Sequence, residues 1–291
     1  MVRNDKINIF QKPPDFLCIG GQKSGTTWLY KNLNLISHFE MPPHKEIHYF
    51  NNINTKGLRI KDLNKYKTYL LLKNRFKYQC MQHSLKKIRW DIKYLFGKRT
   101  DNWYLSLFER QPDKYSGDIS PAYSTLDEHT VRHIKKILPE VKVFFILRNP
   151  IYRAWSHFKM DFTKFYHKKI EDLAYEDIIS HFESNASILR TDYIRTIKIW
   201  ERYYPPKQFL ICFFDDLESR PEFFLKQILS FIGVEFETKC INSFIIKEPI
   251  NKSVTAELPI SLHKYLAKKY EPLIKELSYR FGSKIKNWIE F

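Results

Sequence analysis

Lys23 sits in the run Asp15-Phe-Leu-Cys-Ile-Gly-Gly-Gln-Lys-Ser-Gly-Thr-Thr-Trp-Leu-Tyr30, where a short apolar stretch gives way to a Gly/Ser/Thr turn and then to a helical pattern. Such a layout cradles an anion. Free N–H groups at a helix N-terminus, the positive end of its dipole, the hydroxyls of Thr26 and Thr27 and the Lys23 ammonium can converge on one phosphate-like group. The loop is P-loop-like, but it is not G-x-x-x-x-G-K-S/T, because Lys23 precedes Gly25 instead of following the last glycine. It therefore asks for a different ligand or a different chemistry. A glycine turn after a strand also serves as an ordinary helix cap, so the loop needs a second anchor before it carries a function.

That anchor lies far along the chain, in Phe145-Ile-Leu-Arg-Asn-Pro-Ile-Tyr-Arg-Ala-Trp-Ser-His-Phe158. Arg148 leaves an apolar strand just before Asn149-Pro150, a helix-start signal. Ser156 falls two turns into that helix, and Tyr152 and Arg153 are spaced to share its face. An arginine fork and a nearby hydroxyl suit a second phosphate. Taken alone, Arg148 could equally pair with a carboxylate and Ser156 could be a plain surface residue.

The elements that must hold these residues alternate. Phe16–Gly20, Tyr115–Ile119, Val141–Leu147 and Gln208–Phe214 read as strands, and Thr26–Ile36, Asp127–Leu138, Pro150–Met160 and Pro221–Ile232 as the helices that follow them. The third strand is nearly continuously apolar, as strands covered on both faces are. The expected class is α/β, a central parallel β-sheet with helices on both sides, binding at the carboxyl ends of its strands. With no repeat and no Pro/Gly-rich linker, residues 1–291 read as a single domain. Insertions at about 51–111 and 161–185 interrupt it and lie on the acceptor side.

Composition narrows the partners. The 49 Lys+Arg against 32 Asp+Glu give a formal charge of +17, which favours anionic partners without choosing among nucleotides, acidic glycans, nucleic acid or lipid headgroups. The basic and aromatic segment Leu58–Arg99 fits a glycan or nucleic-acid strand. Leu63, Tyr66, Tyr69 and Leu70 at helical spacing fit an amphipathic helix with a cationic face just as well. Cys18, Cys80, Cys212 and Cys240 lie far apart, with no C-x-x-C pair or histidine cluster near them in sequence. Neither a zinc site nor a disulfide framework is expected, and Cys18 and Cys212 read as small core residues. No apolar run of 18 residues and no signal-peptide pattern occur, so a cytoplasmic protein without a membrane span is expected.

The two phosphate motifs, in this order and far apart, resemble the sulfotransferases that use 3′-phosphoadenosine 5′-phosphosulfate (PAPS) and release 3′-phosphoadenosine 5′-phosphate (PAP). The likeness is to the bacterial type and to the heparan-sulfate and glycan group. It implies that Gln22, Lys23, Ser24, Gly25, Thr26, Thr27 and Trp28 hold the 5′-phosphosulfate, and that Arg148 and Ser156 hold the 3′-phosphate. Lys45-Glu-Ile-His-Tyr-Phe50 is similar to the family's K-E-x-H-F-F segment, and Gly117-Asp-Ile-Ser-Pro-Ala-Tyr123 to its E-K-S/T-P-x-Y segment. Tyr193–Gly233 follows a further family pattern that places Tyr193 near the nucleotide. Pro249-Ile-Asn-Lys-Ser253 resembles a loop that brings Lys252 and Ser253 to it. One departure stands out: Asp118-Ile119 replaces Glu-Lys, so a lysine that assists catalysis in some relatives is missing.

The resemblance implies in-line sulfuryl transfer to an acceptor hydroxyl or amine, with Lys23 stabilising the leaving phosphate, Glu46 as general base and His48 as the second candidate base. No metal is required. Without the resemblance, Glu46 reads as a surface carboxylate paired with Lys45. The implied partners are PAPS and PAP with a glycan or small hydroxyl-bearing acceptor, and not nucleic acid. Three other readings stand beside it: a nucleotide kinase or other phosphotransferase, a non-catalytic basic glycan-binding protein, and an inactive relative.

Overall fold

The computed structural model describes residues 12–52, 85–108, 110–162, 173–235 and 257–288. Lys252, Ser253, Cys80, Cys240, Leu63, Tyr66, Tyr69 and Leu70 lie outside the described residues. Within them, β1 (Phe16–Gly20) runs into α1 (Thr26–Leu33), and α2 (Leu85–Phe96) and α3 (Asp101–Ser106) precede β2 (Gly117–Ile119). Next come α4 (Glu128–Ile137), β3 (Lys142–Leu147) and α5 (Pro150–Asp161), then α6 (Tyr175–Glu183), α7 (Asn185–Thr191) and α8 (Tyr193–Glu201). β4 (Phe209–Phe213), α9 (Phe214–Ser219), α10 (Pro221–Ile232) and α11 (Ile260–Phe281) follow.

The described strands form a four-stranded parallel sheet in the order β2-β1-β3-β4. Alternation along each strand sorts the side chains to two faces. Leu17, Ile19, Val143, Phe145 and Leu147 enter one apolar cluster, while Phe16, Cys18, Phe144 and Ile146 enter the other. The first cluster packs on α4, α5, α8 and α11, and the second on α1 and α10 through Leu29, Leu33, Leu225 and Ile228. Both faces are therefore covered, which is why β1 is apolar throughout and β3 from Val143 to Leu147. The expected α/β class holds, and Cys18 and Cys212 are buried and free within it.

Strand order fixes where a ligand can sit. From β1 the chain crosses to β2 on one side and then to β3 on the other, so the carboxyl ends of β1 and β3 flank a topological switch point. Lys23 and Arg148 leave from those two ends.

Besides one-residue shifts elsewhere, the elements differ from expectation at α1, β2 and the end of β4, and one expected helix face is not shared. α1 stops at Leu33 because Asn32 and Asn34 turn their amides back onto the Trp28 and Tyr30 carbonyls, competing with the helix ladder. β2 begins at Gly117, and Tyr115 makes only an isolated bridge to Phe39. Gly117 itself lies against the Phe16 ring, where an added Cβ would sit 2.4 Å from ring carbons. Phe214 opens α9 instead of ending β4. On α5, Tyr152 is half-exposed while Arg153 and Ser156 are buried, so Tyr152 does not share their face.

Candidate functional site

The expected donor side is built by β1, β3 and the helices that follow them. Gly25 caps α1 at φ 78°, and a Cβ there would lie 2.2 Å from Leu217, so only glycine fits. No side chain caps α1 and its first turn carries no acid, which leaves the positive end of the helix open. Ser24 is fully buried, and its Oγ has no hydrogen-bond partner; the same is true of the buried Gln22 Oε1. A buried hydroxyl without a protein partner beside an uncapped helix end fits an anionic ligand that supplies the missing acceptor. Thr26 is buried and Thr27 half-buried, while Trp28 packs edge-on against Phe224 in the core. Trp28 thus offers the site its backbone and not its indole.

Arg148 joins the two motifs. Its Nη1 donates to the Lys23 carbonyl at 2.7 Å, and its guanidinium lies 4.2 Å from the centre of the Phe214 ring. From behind, the fully buried Tyr193 donates its hydroxyl to the Arg148 carbonyl at 2.8 Å. Tyr193 therefore reaches the site through Arg148. Ser156 follows on α5, whose start is set by Asn149 Oδ1 accepting from Ile151 N at 3.0 Å. Lys159, one turn further along α5, was not foreseen; burial and then the nearby Arg148 charge push its ammonium pKa down.

The loop around Glu46, expected on the acceptor side, is the other part of the candidate site. Glu46 forms an ion pair with Lys45, and His48 Nε2 lies 3.2 Å from its other oxygen. Burial alone would push the carboxyl up. The hydrogen bond from His48 and the Lys45 charge outweigh it and hold Glu46 at about 2. Burial likewise works against a charged His48, but Glu46 raises its pKa overall. Asn51 helps, because its amide donates to the Ala122 carbonyl at 3.1 Å and so turns Oδ1 to His48 Nδ1 at 3.3 Å. With oxygen acceptors at both ring nitrogens, His48 favours the imidazolium.

Asp118 holds this loop in place. The buried carboxylate accepts from Ser120 Oγ at 2.6 Å, Tyr123 Oη at 2.8 Å and Tyr104 Oη at 3.2 Å. Ser120 Oγ in turn takes the His48 N–H at 3.4 Å, and Tyr123 Oη takes the Tyr49 N–H at 3.1 Å. Ser120 N donates to the Cys18 carbonyl at 3.1 Å, which ties the assembly to β1. Asp118, at the glutamate position of the expected Glu-Lys pair, is thus the hub of the loop around Glu46, while Ile119, at the lysine position, is buried in the core. Burial pushes the Asp118 carboxyl up, opposed by its hydroxyl donors.

Backbone strain marks the same residues. Among the described residues, the non-glycine positions with positive φ are Lys23 (69°), Glu46 (68°) and His48 (55°). Each left-handed residue of this kind costs about 1–3 kcal/mol, and such costs concentrate where a side chain must be aimed.

The sulfotransferase domain model matches residues 13–276. Among solved structures, the chain resembles a sulfotransferase from Alicyclobacillus acidocaldarius (TM-score 0.66, 19% identity, covering 96% of this chain and 100% of that one). It also resembles mouse sulfotransferase SULT7A1 complexed with PAP (TM-score 0.51, 13% identity, 96% and 88% covered). A third is STF9 from Mycobacterium avium (TM-score 0.54, 12% identity, 94% and 78% covered). At these identities the likeness is one of fold. No curated protein matches the sequence. No helix among the described residues is long and apolar enough to cross a membrane.

Proposed function

The chain belongs to the sulfotransferase domain family, and from that premise we propose that it transfers the sulfuryl group of PAPS to an acceptor hydroxyl or amine, releasing PAP. The observation that carries this reading is the coincidence of Lys23, Glu46 and His48, the three residues of catalytic type, with the three strained non-glycine positions. In this reading the uncapped start of α1, Ser24 and Lys23 receive the 5′-phosphosulfate, and Arg148 and Ser156 receive the 3′-phosphate. Lys252 and Ser253 are assigned to the nucleotide from sequence alone.

In the transfer, the S–O bond to the phosphate breaks as the bond from sulfur to the acceptor oxygen forms, and the electron pair leaves on the phosphate. By analogy with phosphoryl transfer the transition state is loose, so alignment and charge stabilisation dominate. Lys23 and the loop N–H groups face the charge that develops on the leaving oxygen. The acceptor proton passes to Glu46. A carboxyl held at about 2 is a weak base in the resting site, so Glu46 acts first as a hydrogen-bond acceptor that orients the hydroxyl and takes the proton late. His48, favoured as the imidazolium, serves as a donor to Glu46 and is the weaker candidate for the base.

The acceptor we propose is a polar hydroxyl compound or glycan, consistent with the basic surface. The test is transfer of labelled sulfate from PAPS to a panel of glycans, sterols and small alcohols. Labelled product with stoichiometric PAP supports the reading. Tight binding of glycans with steep salt dependence, indifferent to PAPS and without product, would replace it by a binding protein.

A further inference from the structure

The spacing of histidines in the sequence shows no cluster, but the fold makes one. His157 and Asp161 are one turn apart on α5, and His181 reaches them from α6. Both Nε2 atoms face the same oxygen, Asp161 Oδ2, from 3.4 Å (His157) and 2.9 Å (His181). The three ligand-type atoms lie within 4.8 Å of one another. In a tetrahedral site with bonds of about 2.0–2.1 Å, neighbouring ligand atoms stand roughly 3.3 Å apart. Both distances to Asp161 therefore bracket the edge of such a coordination shell. His157 is almost fully buried, and Phe158 and Phe182 ring the cluster at 5.3 Å and 6.0 Å from the His181 ring centre.

We propose that His157, Asp161 and His181 form a site for a divalent transition metal of the zinc class, which clips α5 to α6. Two imidazoles and one carboxylate suit zinc, cobalt, nickel or copper rather than magnesium or calcium, and three protein ligands leave a further position open. The clip begins at the residue after Ser156 and ties Asp161, at the start of the 161–185 insertion, to His181 near its end, so it would hold α6 against the helix that carries the serine assigned to the 3′-phosphate. It takes no part in sulfuryl transfer. Two features set its strength. Metal at Nε2 places the ring proton on Nδ1, and the buried Nδ1 of each ring has no hydrogen-bond partner, so the outer support that strengthens most histidine ligands is missing. The positive charges of Arg153 and Arg190 also act on the site. Micromolar affinity is expected, not the tighter binding of a structural zinc site.

The test is a titration of chelator-treated full-length protein with Co²⁺, followed by its visible absorption, and with Zn²⁺ by calorimetry. One saturable site per chain is expected. Asp161→Asn and His181→Gln, both at the more accessible side of the cluster, should each weaken it by at least about tenfold, with far-UV circular dichroism verifying their fold. Absence of saturable binding up to roughly millimolar metal, or binding unchanged in both variants, would overturn the proposal.

Discussion

The proposed donor clamp and the proposed acceptor loop are held in place by opposite routes. On the proposed donor side, short-range structure does the aiming: a strand ends, a glycine turns, a helix starts, and the pairing of β1 with β3, the Gly21 N–H on the Ile146 carbonyl and the Arg148 bond to the Lys23 carbonyl register the two halves. On the acceptor side no regular element passes through Glu46. Its loop hangs from side chains more than 70 residues away, through Ser120, Tyr123 and the buried Asp118. A clamp made of regular elements is robust and permits little variation, whereas a loop hung from a polar hub can be re-aimed by changing the hub.

If the two sides are separable in this way, variants should sort cleanly between turnover and nucleotide binding. The largest effect is expected for Glu46→Gln, with kcat falling about 10²–10⁴-fold, the range for removing a positioned general base. Lys23→Ala should lower kcat by about 10²–10³-fold, as loss of one donor to a developing oxyanion does. Arg148→Ala should weaken PAP binding in calorimetry by roughly ten- to a hundredfold, the worth of a charged hydrogen bond of about 1.5–3 kcal/mol. An unchanged affinity would mean that the 3′-phosphate site is misplaced. Asp118→Asn strands hydroxyl donors in the core, so thermal unfolding should show a loss of about 1–3 kcal/mol. Its kcat should fall while PAP affinity holds.

The smallest effect is in pH. Glu46 is depressed, so the stability it contributes is present above its ordinary 4.5 and is lost as pH falls towards about 2. His48 is raised, so its contribution is complete below its ordinary 6.5 and is lost as pH rises through the raised value. NMR titration should place the His48 midpoint above 6.5, and Glu46→Gln should lower it. The acid limb of kcat/KM separates the two bases. With Glu46 as base it lies far below neutrality, and with a neutral His48 as base it lies above 6.5.

Sequence made the donor side legible because its signals are local. Gly25, Thr26, Asn149 and Pro150 each announce the backbone they adopt, and the strand–helix alternation predicts the sheet. α11 carries an equally plain stripe in Leu262, Leu266, Tyr270, Ile274 and Leu277, yet sequence reading passed over it because no chemical motif lay there. The acceptor loop was legible only as a resemblance. Nothing local in Lys45-Glu-Ile-His48 foretells left-handed backbone at Glu46 and His48, since the bonds that impose it come from Ser120 and Tyr123. Asp118 showed no role of its own in the sequence for the same reason: its meaning lies in three hydroxyls that only the fold brings together. The His157–Asp161–His181 cluster was half visible, as two ligands one helical turn apart, and needed α6 to supply the third.

The separation of the two sides is tested most directly by measuring turnover and PAP affinity on one protein, Glu46→Gln. Sulfate transfer reduced by two orders of magnitude or more, with the PAP dissociation constant within about twofold of the unsubstituted protein, is the expected result. Near-normal transfer, or a matching loss of PAP binding, would contradict the assignment of Glu46 to the acceptor side.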